Sequence, residues 1–555
     1  MGFVDRLTSL FDPETDHGPV HDGVRFVLTA SAAEMATYDN SWMKAMMGTF
    51  PQALVRPLLQ RHLKPVDEPD GRARYAPYGL RKVESILAAE YGVGNVVVVH
   101  PANLHRFVGP KTQVVGVSTM DPLGLAYVSM TYNPLIRFGG ESVDHVEFIR
   151  LMQHPVLHRY PVKKIVGGFG VWQIDHAGLQ QALDIDLLIT GECEEHLIPV
   201  IEKLLRGEPL PKYVRTSRLH EYDKVPIIRH AAGFGTVEIT RGCGRRCQFC
   251  SPDYRTKYDF PVEHVMREVE VNARAGCDAC FIATEDIFLY GQYDHFVPNR
   301  QKIGELLGAI AAHPRIRQIA ISHASITPVL VDPKLLPDIT PIILEKSHYR
   351  RNGEPFVGVD VGIESGSVYI MRRYMGGKAL PYRIEQWPDI VTQGAGIMND
   401  NRWFPMFTFI LGLPGEREVD VLATLELFDR LKDHMIFYVP LLFVPLEEAV
   451  LRHAKRASLD RLTELHWEFL LGCWRRNLRT WAADIDPFVR AIGLFVYSAY
   501  LQRFHGRQSF RPMMKFIGLP GLNSPGSVTW KRCDYDYCFG EKPREEKKLL
   551  PLIQA

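Results

Sequence analysis

The stretch Cys243-Gly-Arg-Arg-Cys247-Gln-Phe-Cys250 places three thiols within eight residues, directly after a predicted strand at residues 235–240. Three thiolates on a short glycine-containing loop can hold three corners of an iron–sulfur cluster and leave one iron open. An open coordination position is what a catalytic metal site requires. A zinc site completed by a distant ligand, or three unrelated thiols, are the alternative interpretations of this spacing.

The strand before this loop begins a region in which strands and helices alternate. Such alternation predicts an incomplete parallel barrel, with strands at residues 235–240, 279–283, 318–322, 355–362, 404–411 and 435–443. An earlier region has short, all-apolar strands between helices, which predicts a parallel sheet covered on both faces. These strands lie at residues 95–100, 113–118, 164–166 and 186–190.

The patterns divide the chain into five predicted regions. They are an N-terminal extension at 1–75 with one strand at 24–30, a sheet domain at 76–207, a Pro- and charge-rich linker at 208–231, the partial barrel at 232–450, and a helical C-terminal region with a tail at 451–555. The expected fold class is α/β. In parallel sheets, ligands bind beyond the carboxyl ends of the strands, so site residues are expected there.

The composition excludes several classes of protein. The chain has 555 residues, of which 46% are hydrophobic and 23% charged, which is globular composition. Its formal net charge of +1 gives no long-range field for nucleic acid or an anionic membrane, so neither is an expected partner. Nine cysteines are too few for a secreted disulfide scaffold. With no secretory signal and no long apolar run, a cytoplasmic location is expected.

The cysteine loop resembles the CxxxCxxC motif of the radical SAM superfamily, including the aromatic Phe249 before the last cysteine. The resemblance implies a partial (β/α)6 TIM-type barrel and a [4Fe–4S] cluster on Cys243, Cys247 and Cys250. It also implies S-adenosylmethionine at the open iron and a low-potential electron donor such as ferredoxin or flavodoxin. Residues near the loop or the strand ends would contact S-adenosylmethionine: Phe249, Glu285, Asp286, Ser322, Glu364, Leu411 and Gly412.

The earlier sheet region resembles the Rossmann-like cobalamin-binding domain of class B radical SAM proteins, because glycine-rich strand ends precede the cysteine motif. Methionine-synthase-like domains carry a cobalt-ligating His in the loop that corresponds to residues 118–124, and this loop has none. The resemblance therefore implies cobalamin without a His ligand. The residues expected around it are Ser118, Thr119, Met120, Asp121, Leu123, Gly124, Gly167, Gly168, Gly191 and Glu192.

Together these resemblances imply a cobalamin-dependent radical SAM C-methyltransferase, an S-adenosylmethionine-dependent enzyme. It would methylate an unactivated sp3 carbon through methylcobalamin and a 5′-deoxyadenosyl radical. The alternative keeps both cofactors but performs ring closure, rearrangement or polar methylation on a small molecule. A non-enzymatic regulator that binds zinc or a cluster is a third interpretation.

Two short motifs narrow the resemblance. Residues 76–81 (APYGLR) and 118–125 (STMDPLGL) look closest to the methanogen enzymes that C-methylate a glutamine of methyl-coenzyme M reductase. This implies an anaerobic post-translational modification linked to methanogenesis, with the reductase alpha subunit as protein substrate and Tyr78 as a substrate contact.

Two further cysteine pairs lie outside the motif. Cys277 and Cys280 enter the second barrel strand, where small thiols pack well, and zinc or redox use is the alternative. Cys533 and Cys538 lie in the tail and would need two more ligands to form a second metal site.

Overall fold

The computed structural model describes residues 22–136, 139–216, 218–219, 221–251, 257–481 and 503. The chain divides into two compact units. The first unit comprises the described parts of Met1–Gly48, Val55–Leu123 and Val143–Gly233, and the second those of Thr49–Leu54, Gly124–Ser142 and Phe234–Ala555. Cys533 and Cys538 lie outside the described residues. In the part of the chain that is described, no helix has the length and apolar character to cross a membrane.

The first unit is built on a six-stranded parallel sheet with the order β2-β1-β3-β4-β5-β6. Alternate residues of each strand face two separate cores: Val27 and Val115 belong to one, Phe26 and Val114 to the other. Buried apolar residues on both faces explain the all-apolar strand sequences. The strands are β1 Phe26–Ala30, β2 Val96–Val98, β3 Val114–Ser118, β4 Lys163–Gly167, β5 Leu187–Thr190 and β6 Tyr213–Arg215.

Two strands of this sheet lie outside the predicted sheet domain. β1 pairs with both β2 and β3, although the predicted boundary at residue 76 left it in a separate extension. β6 pairs with β5 inside the segment that was interpreted as a linker. It is a three-residue edge strand, Tyr-Val-Arg, none of whose side chains is fully buried, so it lacks the all-apolar pattern of the central strands.

The helices of the first unit cover both faces of its sheet. Tyr78–Tyr91 and Leu197–Leu205 pack with one core, and Val143–Met152 and Val171–His176 with the other. The helix Gln52–Leu59 has its first three residues in the second unit and the others in the first. The remaining α-helices of the first unit are Ala32–Met35, Trp42–Met46, Leu104–Phe107 and Val156–Arg159.

The second unit contains an incomplete parallel barrel. Its strands form two sheets, β11-β10-β7 and β12-β15-β16-β17, and only Ser322 separates β11 from β12 along the chain. Counting those two as one gives six parallel positions, so the predicted α/β fold class is confirmed. Four further strands form two separate pairs, β8 with β9 and β13 with β14. The strands of the second unit are β7 Thr236–Glu238, β8 Thr240–Arg241, β9 Tyr258–Asp259, β10 Ala279–Ala283, β11 Gln318–Ile321, β12 His323–Ala324, β13 Tyr349–Arg351, β14 Glu354–Phe356, β15 Asp360–Glu364, β16 Met406–Leu411 and β17 Phe437–Leu442.

The fourth barrel strand differs from its prediction. Residues 355–362 were expected to form one strand, but β13 and β14 form an antiparallel hairpin and β15 begins at Asp360. The two residues between β13 and β14 are Asn352 and Gly353, both with positive φ. An Asn-Gly pair favours this tight hairpin turn, so the signal was present in the sequence.

Two helices cover β17, the edge strand of the larger sheet. From the helix Tyr127–Ile136, Thr131 Oγ1 accepts a bond from Leu442 N at 2.8 Å. From the helix Glu464–Trp481, Asn477 accepts from Tyr438 N at 2.8 Å and donates to Tyr438 O at 2.7 Å. These side chains satisfy backbone groups that an open sheet edge leaves unpaired.

The first of these two helices was predicted to belong to the sheet domain at 76–207, but it clusters with the second unit. The other α-helices of the second unit lie mostly between the barrel strands. They are Val262–Arg274, Arg300–Ala312, Pro328–Val331, Leu335–Ile343, Val368–Tyr374, Trp387–Asp400 and Glu418–Arg430.

Candidate active site

The three cysteines of the motif lie on the loop that follows β8. Gly242, Gly244 and Arg246 all have positive φ, and left-handed residues that alternate in this way turn successive backbone N–H groups towards one side. Such concave loops hold iron–sulfur clusters, so the donor set and the backbone both fit one. Among the described residues, no three His, Cys, Asp or Glu side chains are grouped as for a metal ion, and the cluster assignment stays a prediction.

The buried side chain of Arg245 fixes this loop to other parts of the second unit. Its side chain is buried and donates to the carbonyls of Gly377 and Lys378 at 3.0 and 3.1 Å. It also donates to the hydroxyls of Ser325 and Thr327 at 2.9 and 3.0 Å. The cysteine loop is therefore joined to the turn Gly376–Ala379, which lies far away in the sequence.

That turn carries Lys378, which sequence reasoning missed. Its ammonium donates to Glu364 Oε1 at 2.8 Å and to the carbonyl of Gly362 at 2.7 Å. Burial disfavours its charge, but Glu364, Cys247 and Cys250 outweigh burial and raise the pKa of Lys378. Lys378 therefore pairs directly with the predicted residue Glu364 and lies near enough to Cys247 and Cys250 for their charges to affect its pKa.

Glu364 owes its position to a bulge in β15. Its φ is +66°, and the pairing of β15 with β16 shifts between Gly362 and Glu364. A positive φ in a residue with a side chain is strained and is found at functional sites more often than elsewhere. The bulge turns the Glu364 carboxylate towards Lys378, where only 7% of its side chain is exposed.

Glu285 and Ser322 lie at neighbouring strand ends. Thr240, which precedes the cysteine loop, donates to Glu285 Oε2 at 3.0 Å. Ser322 Oγ donates to Thr284 O at 2.8 Å and accepts from Thr284 N at 2.9 Å, so its hydroxyl joins two strand ends. A ligand-binding role for Glu285 and Ser322 stays a prediction.

Asp286 has a clear structural role. It is buried, and its carboxylate accepts bonds from the backbone N–H groups of Phe288 and Ser325 and from the Ser325 hydroxyl. An ion pair with Arg245 at 3.7 Å adds to this network, although burial dominates and raises the pKa of Asp286. These bonds tie the second strand end to the anchor of the cysteine loop, and its predicted contact with S-adenosylmethionine stays a prediction.

Glu416 and His466 fix the carboxyl end of β16. Gly412 N donates to Glu416 Oε2 at 2.6 Å, and His466 Nε2 lies 3.1 Å from the same oxygen. Leu411 is buried, and its carbonyl accepts from Phe443 N at 2.8 Å. Leu411 and Gly412, which were predicted to contact S-adenosylmethionine, therefore form a strand end that the helix Glu464–Trp481 supports through His466.

Cys277 and Cys280 are buried thiols. Burial raises the pKa of both, and Cys277 Sγ donates to the carbonyl of Ala279 at 3.5 Å. A thiol that stays protonated is a poor metal ligand and nucleophile, which favours the packing interpretation.

In the first unit, the sheet order reverses between β1 and β3, which is where such sheets bind ligands. Glu34 follows β1 and accepts from Met120 N at 2.9 Å and from the Thr119 hydroxyl at 3.2 Å. Gln173 donates to Asp121 Oδ1 at 2.8 Å and accepts from Leu123 N. The loop after β3 is thereby fixed to its neighbours.

Two of the glycines expected around cobalamin, Gly168 and Gly191, allow neighbouring loops to pack closely. A Cβ on Gly168 would lie 2.6 Å from Thr119 O, and one on Gly191 would lie 2.8 Å from Thr216 O. At these two positions, neighbouring backbone atoms leave no room for a side chain. Gly167 pairs with Ser118 across β4 and β3.

Three other predicted residues have defined surroundings. Glu192 accepts from Leu219 N at 3.0 Å and from the Tyr222 hydroxyl at 3.2 Å, which holds the segment after β6. Gly124, with φ of +67°, begins the segment that clusters with the second unit. Tyr78 lies in the first unit, where the Lys82 ammonium is 5.0 Å from its ring centre, and its substrate role stays a prediction.

We expect stability to depend on pH through Glu34. Burial raises its pKa from 4.5 to about 7, so between these values the folded unit keeps a proton that the unfolded chain has released. This contribution to stability is complete below about pH 4.5 and is lost as the pH rises through 7.

At pH 8, Glu34→Gln, which keeps the acceptor oxygen, should have a free energy of unfolding about 2 kcal/mol greater than wild type, measured by urea unfolding. The advantage should vanish near pH 4.5, and the exposed Glu90→Gln is the control. Equal stability of Glu34→Gln and wild type at pH 8 would show that ionised Glu34 does not destabilise the folded protein.

Comparison with known families finds a match within the second unit. Residues 237–428 match the model of the radical SAM superfamily. These residues are a radical SAM domain. The matched residues include the three cysteines, Glu364 and Lys378.

Curated relatives match only part of their length. The chain is 23% identical over 280 residues to a tRNA-2-methylthio-N(6)-dimethylallyladenosine synthase of Alteromonas mediterranea, covering 49% of this chain and 54% of that protein. It is 25% identical over 196 residues to the ribosomal protein uS12 methylthiotransferase RimO of Frankia alni, covering 34% of this chain and 32% of that protein. The chain thus spans about half or less of these relatives' lengths.

One solved structure shares the fold over more of the chain. TsrM, a radical S-adenosylmethionine methyltransferase from Kitasatospora setae, was solved with tryptophan substrate and a S-adenosylmethionine analogue. It matches with a TM-score of 0.50 and 16% identity over 78% of this chain and 76% of that one. A second TsrM structure, with cobalamin and a [4Fe–4S] cluster bound, has a TM-score of 0.48 at 16% identity, covering 78% of each chain.

Proposed function

We propose that this chain is a cobalamin-dependent radical SAM methyltransferase that methylates an unactivated sp3 carbon. The observation that carries the proposal is the cysteine loop of the radical SAM domain, which Arg245 ties to the turn bearing Lys378. A separate parallel sheet with a fixed loop at its point of strand reversal supplies a second place for a cofactor.

In this proposal, Cys243, Cys247 and Cys250 hold the cluster. Lys378 offers an ammonium suited to the carboxylate of S-adenosylmethionine, and Glu364 offers a carboxylate for ribose hydroxyls. When bound, S-adenosylmethionine and the cluster supply a hydrogen-abstracting radical, and cobalamin supplies the methyl group. The protein contributes orientation and exclusion of water.

The cobalamin part of the proposal depends on the loop after β3. Thr119 and Asp121 are buried, but the side chain of Met120 between them is 59% exposed. An exposed apolar side chain on a fixed loop can pack against a bulky macrocycle at the strand-reversal point. The residues present therefore fit a cobalamin that takes no His from this loop.

Met120→Asp should lower cobalamin affinity about tenfold, because a carboxylate loses its hydration when a corrin covers it. The control is Val93→Asp, which alters an exposed apolar residue that precedes β2, at the amino end of that strand. Equilibrium titration followed by the corrin absorbance measures both. Equal affinity of Met120→Asp and wild type would contradict a corrin on this loop.

The substrate proposal is a glutamine in an extended segment of methyl-coenzyme M reductase, based on residues 76–81 and 118–125. The second candidate is a small molecule, since TsrM shares the fold and was solved with tryptophan. In that case the same cofactors perform ring closure, rearrangement or polar methylation.

The test uses full-length protein reconstituted anaerobically with iron, sulfide and cobalamin, with the Cys243→Ala/Cys247→Ala/Cys250→Ala variant as control. Incubation with reductant, S-adenosylmethionine carrying a deuterated methyl group and reductase peptides should yield 5′-deoxyadenosine and a peptide heavier by that methyl group. If the peptides carry no label, the reductase is not the substrate. Wild type without cluster or corrin absorbance would overturn the enzyme class.

A further inference from the structure

The helix Tyr127–Ile136 reaches the cysteine loop through its first residue. The hydroxyl of Tyr127 donates a hydrogen bond to the carbonyl of Phe249 at 3.2 Å. Phe249 immediately precedes Cys250, the third cysteine of the motif. Both partners belong to the second unit, although 122 positions separate them in the sequence.

We propose that Tyr127 is a positioning residue that fixes the orientation of Cys250 through the carbonyl of Phe249. This inference rests on the proposed cluster at the three cysteines and goes beyond it, since Tyr127 is not a ligand of that cluster.

The peptide group between Phe249 and Cys250 is held at both ends. Its carbonyl accepts from Tyr127, and its N–H donates to the carbonyl of Cys247 at 3.1 Å. A peptide plane with both ends bonded has little freedom to rotate. These two bonds therefore set the direction in which the Cys250 side chain extends from the backbone.

The support behind Tyr127 is rigid. One turn further along the same helix, Thr131 Oγ1 accepts from Leu442 N at 2.8 Å, and the Tyr132 hydroxyl donates to Pro440 O at 3.1 Å. Both partners lie on β17, the edge strand of the larger sheet. A side chain mounted on an element fixed in this way holds its partner more precisely than one on a free loop.

The hydroxyl of Tyr127 also stays a donor. Burial, followed by the negative charges of Cys250 and Glu364, raises its pKa well above the ordinary range of tyrosine. A hydroxyl that keeps its proton remains able to donate to the carbonyl of Phe249.

The experiment compares Tyr127→Phe with Tyr132→Phe. Each substitution keeps the ring and removes one hydroxyl that donates to a backbone carbonyl, on the same helix. The Tyr127 hydroxyl bonds to the cysteine loop, whereas the Tyr132 hydroxyl bonds to β17. Full-length proteins are reconstituted anaerobically, and the readouts are the midpoint potential of the cluster, its electron paramagnetic resonance signal with and without S-adenosylmethionine, and its loss to a chelator.

We expect Tyr127→Phe to shift the potential and the resonance signal, and to lose the cluster about fivefold faster, as the loss of one hydrogen bond implies. Tyr132→Phe should match wild type in all three readouts. Equal behaviour of the two variants, or a lowered melting temperature of Tyr127→Phe with an unchanged cluster signal, would overturn the inference alone. Wild type that takes up no cluster would overturn the proposed function together with it.

Discussion

Gly377→Ala is expected to abolish cluster binding while leaving most of the fold intact. A Cβ at this position would collide with the backbone carbonyl of Arg245, inside the CxxxCxxC loop. Backbone atoms cannot move aside as a flexible side chain can, so the loop must shift away from the turn Gly376–Ala379. The shift would break the bonds from Arg245 that fix the loop.

The adjacent residue provides a matched control, since a Cβ on Gly376 would meet nothing within 4 Å. Gly376→Ala should therefore keep the iron content of wild type, whereas Gly377→Ala should retain less than about one tenth of it after reconstitution and desalting, because misplaced thiolates cannot ligate one cluster together. Iron and sulfide analysis measures both, and circular dichroism checks that the variants are folded. Full iron content in Gly377→Ala would contradict the role assigned to this contact.

The elements that sequence reasoning found and missed differ in how local their signals are. β2 and β3 are short apolar runs buried on both faces, and such runs can be recognised without knowing their partners. β6 is partly exposed at the sheet edge, so its three residues carry no such pattern. The placement of β1 between β2 and β3 depends on pairing between distant segments, which periodicity does not encode.

The site shows the same division. Cys243, Cys247 and Cys250 were found because their spacing within one loop is itself the signal. Lys378 was missed because the chain passes through three further barrel strands between Cys250 and Lys378, so nothing local links this lysine to the cysteine loop. The preceding Gly376-Gly377 was the one available hint, since paired glycines often permit close backbone approach. Tyr127 was missed because no residue pattern shows which unit its helix joins.

Arg81→Met should destabilise the first unit by about 3–5 kcal/mol, because it leaves a buried carboxylate and several carbonyls without their partner. The Arg81 side chain is 1% exposed and donates to Glu84 at 3.0 Å. It also donates to the carbonyls of Ala73 at 2.8 Å and Ala231 at 2.9 Å. With Arg81 removed, Glu84 keeps only the neighbouring His230 as an ionic partner among the described residues.

The matched control is Arg72→Met, whose ion pair with Asp70 is about half exposed and should contribute less than about 1 kcal/mol. Urea unfolding of both variants measures the difference, and a loss below about 1 kcal/mol for Arg81→Met would refute the role of this buried network. The outcome also bears on the APYGLR motif, which suggested a particular substrate. Arg81 and Ala76 both bond to residues 231–233, where the first unit ends, so this motif has a structural reason to occur whatever the substrate is.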